Sequence, residues 1–277
     1  MRTSNQENVR FYSFPDIPHI QAVHGLHVTN AFSRHVHDGF SIGIVLEGKR
    51  VIDQKGASMV IGPKDVFLIN PGQPHACKSE DGMHTYFTIC VEPEALKSLA
   101  SQISEKAQKT PYFSCLAAKD EELNSLIREF MLLVQESGST MEKEASLISV
   151  LSTAVLRYGD DPPELRRISP HVEAVSRARG YIKIHYAENL TLKELAGVAC
   201  LSPFYFQRLF LENAGISPHD FLVQYRIKKA RELLEQGSSL ADAALDAGFT
   251  DQSHFTRAFK RVTGVTPGRY VRNLQDM

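Results

Sequence analysis

At 277 residues and 43% hydrophobic content, the chain is long enough to build two cored domains. The net charge of −1 hides an uneven split: residues 1–167 carry 17 Lys and Arg against 21 Asp and Glu, whereas residues 168–277 carry 14 against 11. Four cysteines without CxxC spacing, no apolar leader and no membrane-length apolar run argue against a secreted disulfide scaffold or a membrane protein. A soluble cytoplasmic protein is expected, with a mildly basic tail compatible with nucleic acid.

From about Val23 to Val91 the apolar residues come in strand-sized runs (FSIGIVLEG, KRVID, SMVIG, DVFLINPG, HTYFTICV) punctuated by glycine and proline. That texture predicts a sandwich or small barrel. After Pro93 the period turns helical, and two or three helices are expected to follow the strands. Leu123, Leu126, Ile127, Phe130, Met131 and Val134 form one apolar stripe; Leu147, Val150, Leu151, Ala154 and Val155 form another. These stripes either cover an open face of the β-domain or pair with a second subunit in a homodimer through helices 119–158. GDDPPELRRISP (159–170) is charged, proline-bearing and non-periodic, the composition of a linker. The fold class is therefore α+β: a β-domain with following helices over 1–158, a linker, and an all-α domain over 171–277.

The all-α domain is written twice. Leu192 aligns with Leu240, Ala196 with Ala244, Phe206 with Phe255, Arg208 with Arg257, Gly215 with Gly264 and Pro218 with Pro267. One supersecondary unit is thus used twice. In the first copy Thr191 and Glu194 have capping-box spacing, and Ser202-Pro203 opens a second helix that Gly215 closes. The short interval between them predicts a helix-turn-helix. In the second copy Gly248 supplies the positive φ that such a turn favours. Phe206, Leu209 and Phe210 share a core face, which leaves Phe204, Gln207 and Arg208 outward; in the second copy Gln252, Ser253, Thr256 and Arg257 face out. Arg and Gln can bond guanine and adenine edges bidentately, and an exposed Phe can meet a thymine methyl. The second set is shorter in its side chains and is expected to give more position than sequence. Between the copies, Pro218 to Gln236 form a strut of about 28 Å, close to the ~34 Å between successive major grooves. Arg226, Lys228 and Lys229 on it are candidate phosphate contacts.

The motifs LxELAxxAxLSxxYFxRLF, GxSPxxFL and GFxDQSHFTRAFKRxxGxTPxxY resemble the DNA-binding domain of the AraC/XylS family of bacterial transcription regulators. The resemblance implies double-stranded promoter DNA as partner, base reading by Phe204, Gln207, Arg208, Gln252, Ser253 and Arg257, RNA polymerase as a further partner, and activation as the commoner mode. The family pattern often has Lys or Arg after the Phe of the first helix, where this chain has Leu211.

In the β-domain, Arg34-His35-Val36-His37-Asp38-Gly39-Phe40 and Pro71-Gly72-Gln73-Pro74-His75 resemble the cupin-type barrel that precedes such DNA-binding domains. The resemblance implies a small-molecule effector pocket in which His35, His37 and His75 supply donors and acceptors. Arg34 or Arg50 would meet an anionic group, and Phe40, Phe67 and Tyr86 would form an apolar wall. Residues 1–20 would serve as an arm over the pocket. Three imidazoles can also hold Zn, Fe or Ni. Metal-binding cupins carry a Glu shortly after the second His, where this chain has Ser41 and Ile42, so no metal, cofactor or catalytic residue is expected. The alternatives are a metal-binding cupin enzyme carrying a DNA-binding domain, and a regulator with no effector.

Overall fold

The computed structural model describes residues 8–54, 56–136, 138–165 and 172–275. The chain divides into two compact units, residues 1–166 and 167–277. In the first unit the strands are β1 (Asn8–Ser13), β2 (Ile20–Val28), β3 (Phe32–His35), β4 (Phe40–Glu47), β5 (Arg50–Gln54), β6 (Ala57–Ile61), β7 (Asp65–Ile69), β8 (His75–Ser79), β9 (His84–Val91) and β10 (Ala117–Lys119). The helices are α1 (Pro93–Ser104), α2 (Glu121–Gln135) and α3 (Thr140–Tyr158). One sheet runs β1-β2-β9-β4-β7-β10 and the other β3-β8-β5-β6. The expected barrel is corrected here, because the two sheets are not closed into one. All strand pairing runs within one sheet or the other, which leaves β1, β10, β3 and β6 as edges, and the sheets meet through the packed side chains of Val45, Ile52, Ile61, Phe67, Ile69 and Cys77. The expected N-terminal arm is corrected over its described part: Asn8 to Ser13 form an edge strand in register with β2, and residues 1–7 lie outside the described residues.

Alternation sorts the large sheet into two buried faces. On β4, Val45 faces the small sheet, whereas Phe40, Ile42 and Ile44 face the other way and are fully buried. That second face is covered by helices: α2 packs on β7, β4 and α3, and Phe130 meets Phe87 with ring centroids 6.4 Å apart. Asp120 fixes the start of α2 by accepting from the Leu123 amide at 2.9 Å, and it also takes Arg157 Nη1 at 2.8 Å and the Tyr158 hydroxyl at 2.9 Å. Burial pushes the Asp120 carboxyl up, but these three donors outweigh it and hold it below the usual value. The apolar stripe of α2 is therefore pinned to the end of α3. Where the chain leaves the unit, Asp160 accepts from the Ser114 amide at 2.8 Å and its hydroxyl at 2.6 Å. Residues 166–171, the last part of the expected linker and the residue after it, lie outside the described residues.

The second unit contains α4 (Val172–His185), α5 (Leu192–Ala199), α6 (Pro203–Ala214), α7 (Pro218–Glu235), α8 (Leu240–Asp246), α9 (Gln252–Thr263) and α10 (Pro267–Gln275). No helix among the described residues is long and apolar enough to cross a membrane. Helix punctuation follows the repeat. Ser202 caps α6 and Asp251 caps α9, each with a side-chain oxygen on a backbone amide of the first turn, and Gly215 and Gly264 close both with positive φ. Thr191 caps α5 in the same way, but Glu194 accepts the Tyr181 hydroxyl at 2.6 Å instead of completing a capping box. In the turn, Cys200 (φ +58°) and Gly248 (φ +83°) hold equivalent left-handed positions. Only the second demands glycine for space as well, since a Cβ there would lie 2.7 Å from Cα and O of Ala187.

The strut α7 packs on α4 and α6 toward the first copy and on α8, α9 and α10 toward the second. Arg226 sits at its centre, 7% exposed, and its fork donates to the carbonyls of Tyr186 and Glu188, both at 2.7 Å. Its guanidinium also lies 5.9 Å from the ring of Phe249, in the second turn. The expectation of a phosphate contact at Arg226 is thus corrected. It ties the loop after α4, the strut and the second helix-turn-helix into one body.

Two outcomes follow for stability. Arg226→Met removes both charge-assisted bonds from a buried guanidinium to the loop after α4 and should lower the stability of the helical unit by about 3 kcal/mol, read by urea unfolding of the full chain followed by helical circular dichroism. His84 is 1% exposed and burial holds its pKa down to about 4, against 6.5 ordinarily. The unfolded chain therefore binds that proton first, and stability is lost as pH falls from 6.5 toward about 4, on the order of 3 kcal/mol. His84→Gln should flatten the acid limb of a stability–pH profile; an unchanged limb would show that His84 is not its source.

Candidate functional site

In the helical unit, α9 presents Gln252, Ser253 and Arg257 to solvent with Thr256 half-buried, and α6 holds Gln207 and Arg208 half-buried. Phe204 is corrected: it is 4% exposed and not on an outer face. Helical i,i+4 spacing sets Arg208 above it, with the guanidinium 5.6 Å from the ring centre. The aromatic ring thus supports the arginine from below instead of reaching out beside it. Leu211, in place of a basic residue, is 52% exposed. On the strut Lys228 is exposed, while Lys229 pairs with Glu232 at 2.8 Å.

In the β-rich unit, the predicted histidines converge. A register shift in β3 between Phe32 and His35 turns both residues, three apart, to the side facing the large sheet. His35 pairs across the ladder with His75 at the start of β8. The loop bearing His37 is stapled to the Pro71–Pro74 loop by the Gly72 amide donating to the His37 carbonyl at 2.8 Å. Gln73 anchors that second loop: its Oε1 accepts from Gln54 Nε2 at 2.9 Å and from the Asn70 amide at 3.1 Å, and its Nε2 donates to Tyr112 at 2.9 Å. Asn70 in turn bonds both the amide and the carbonyl of Phe113. As a result one ring nitrogen from each of His35, His37 and His75 lies within 4.8 Å of the other two. Burial holds His37 and His75 below the ordinary imidazole range; the neighbouring histidines and Arg50 add to this, while Asp38 opposes it for His37 and the Gln73 carbonyl for His75. Both rings are therefore neutral, with lone pairs available, near pH 7.

Arg50 occupies the same inter-sheet space. Register pairs Arg50 with Ser79 and Gln54 with His75, so the arginine and the histidines are four residues apart along the strands, roughly 13 Å between backbones. The guanidinium lies 4.1 Å from the ring of Tyr86, 5.5 Å from Phe67 and 5.7 Å from Phe32. Those rings can lie flat because Gly25 and Gly43 stand directly opposite Tyr86 and Phe67; a Cβ would come within 2.2 Å of the first ring and 2.4 Å of the second. Arg50 is 8% exposed, and its Nε and Nη1 find no hydrogen-bond partner among the described residues. A buried cation with two unspent donors is costly unless something anionic joins it.

Two predicted site residues fall elsewhere. Arg34 is exposed on β3. Phe40 points to the helix side of the large sheet, stacked on Phe113 with centroids 4.5 Å apart, and so belongs to the core instead of the pocket wall. The sequence reading missed a cleft of about 550 Å³ lined by Ser13 to Gln21 in part, His37, Asp38, Gly39 and Cys90 to Glu92. Within it His19 Nδ1 meets Glu92 at 2.6 Å. The only sequence signal for it was the proline-punctuated turn around Pro15 and Pro18, which carries no chemistry by itself.

Residues 19–151 match the family of AraC-like ligand binding domains, and residues 195–273 match a helix-turn-helix domain family. The chain is 32% identical over 237 residues to the HTH-type transcriptional regulator YbfI of Bacillus subtilis (strain 168), covering 85% of this chain and 86% of that protein. It is 26% identical over 238 residues to the arabinose operon regulatory protein of Escherichia coli (strain K12), covering 84% and 80%. It is 27% identical over 256 residues to the HTH-type transcriptional activator RhaS of Klebsiella pneumoniae (strain 342), covering 89% and 90%. The chain belongs to the AraC/XylS family of transcription regulators, with an AraC-like ligand-binding unit ahead of a double helix-turn-helix unit.

Proposed function

We propose that this regulator is a cytoplasmic activator that binds specific promoter DNA through α6 and α9 and is controlled by an anionic small molecule in its β-rich unit. The observation that carries the DNA reading is the repeated frame: two helices with the same caps and the same arginine position, joined by one strut of 18 residues, about 27 Å long. That length suits successive major grooves roughly 34 Å apart. Gln207 and Arg208 on α6 and Gln252, Ser253, Thr256 and Arg257 on α9 are the proposed contacts.

The effector reading is supported by Arg50, whose unspent donors call for a carboxylate or phosphate, with His35, His37 and His75 at the other end of the same space. Control requires that the effector favour one arrangement of the chain over another. A homodimer through α2 and α3 would supply such an arrangement, and Leu132 on α2, 49% exposed, is available to its seam. Activation is inferred from the likeness to RhaS, which is named a transcriptional activator, and RNA polymerase as partner is carried over from the family resemblance alone.

Arg208→Ala and Arg257→Ala should each cost about 1–3 kcal/mol on the specific operator and relax preference at one base pair. A uniform loss on all sequences in a gel-shift series would instead make that arginine a phosphate contact. A thermal-shift screen of small carboxylates and sugar phosphates should find a ligand that raises Tm for the native chain but not for Arg50→Leu. Without ligand, Arg50→Leu should be no less stable than the native chain, since it removes a buried, unpaired charge. An equal Tm rise in the variant would remove Arg50 from the effector site.

A further inference from the structure

We propose that His35, His37 and His75 form a binding site for one divalent transition-metal ion, with Zn²⁺ the representative that fits. Imidazole nitrogens bind zinc at about 2.0–2.1 Å in a tetrahedral arrangement, which places neighbouring donors roughly 3.3 Å apart. Nε2 of His35 and Nε2 of His37 are 3.2 Å apart. The three ring centroids are 4.4, 4.7 and 5.1 Å from one another, so His75 closes the third side of the same triangle.

The opposite nitrogens make the arrangement directional. Nδ1 of His35 lies 2.6 Å from the Ser33 carbonyl, and Nδ1 of His75 lies 2.9 Å from the Gln73 carbonyl. A carbonyl only accepts, so both Nδ1 atoms carry the hydrogen and both Nε2 lone pairs are left for the centre of the triad. Backbone carbonyls thereby fix tautomer and ring orientation, as they do for histidine ligands generally. His37 completes the set by donating its Nε2 hydrogen to His35; binding of an ion moves that proton to Nδ1, with no net proton released.

An all-imidazole set selects Zn²⁺, Co²⁺, Ni²⁺ or Cu²⁺ over Mg²⁺ and Ca²⁺, which prefer oxygen ligands. Three neutral ligands leave the double charge unbalanced and a coordination position open. His37 also lines the 550 Å³ cleft, which gives water or an anionic molecule an approach to that position. The anionic effector proposed above has the right chemistry to occupy it, but the metal site does not depend on that effector.

The test uses the full chain, stripped with a chelator, dialysed and titrated with Co²⁺ and then Zn²⁺. One ion per chain is expected, with the visible absorption of four- or five-coordinate Co²⁺ bleached by Zn²⁺. His35→Ala and His75→Ala should each weaken binding by roughly a thousandfold, beyond the 10–100-fold typical of lost supporting partners, while Arg34→Ala, exposed on β3, should leave it unchanged. Should buried His75→Ala fail to fold, His37→Ala, at the surface end of the triad, carries the same expectation, with circular dichroism as the control. No saturable binding, a six-coordinate Co²⁺ spectrum, or undiminished affinity in the histidine variants would overturn the site. Selective operator binding by a chain that takes up no ion would sink the metal and spare the DNA reading; ion uptake by a chain indifferent to DNA sequence would do the reverse.

Discussion

The tandem DNA-binding unit depends on one buried fork. Arg226 bonds the carbonyls of Tyr186 and Glu188 and lies against Phe249, so one side chain touches the loop after α4, the strut and the second turn. Charge-assisted bonds to backbone are among the stronger noncovalent ties, and here they add to the apolar seam in which Val223, Ile227, Ala230 and Leu234 of the strut pack with Phe249, Phe255 and Phe259. The tight approach of Gly248 to Ala187 is the steric counterpart of the same joint. Two recognition helices are useful as a pair only if their separation is fixed. Within this chain that separation rests on Arg226 as much as on the length of α7.

The β-rich unit solves a different problem. Its large sheet is buried on both faces, by helices on one and by the small sheet on the other, and the inter-sheet space is apolar in the middle and polar at its ends. Ile52, Phe67 and Cys77 fill the centre, Arg50 lies toward one end and the histidine triad toward the other. Keeping a guanidinium there requires aromatic rings laid flat over glycines. A sequence that needed only a stable core would have no reason to hold Gly25 and Gly43 opposite Tyr86 and Phe67.

Much of this was legible in the letters. The repeat, the glycine punctuation and the SerPro start of α6 located both helix-turn-helix units, because capping and left-handed turns are local chemistry. The convergence of His35, His37 and His75 followed from motif spacing within one resemblance. What was hidden was tertiary. Helical periodicity alone put Phe204 outside, since it cannot register that Arg208 folds over the ring. It read Arg226 as solvent-facing, since nothing local reveals two carbonyls forty residues upstream. Strand alternation was not enough to place Phe40, because both faces of β4 are apolar. Side-chain length likewise could not show that the candidate contacts of α9 stand freer in solvent than those of α6. Barrel closure was equally out of reach, being a matter of which strand edges meet.

The Ser114–Asp160 bonds have a consequence beyond capping a chain end. Asp160 holds Ser114; the adjoining Phe113 and Tyr112 are held by Asn70 and Gln73, and Gln73 is two residues from His75. The exit of the chain from its sensing half is thus spliced by hydrogen bonds to the loop that carries the site. Under the effector reading proposed above, a displacement of that loop would reach Asp160 through hydrogen bonds alone, without any helix having to move first.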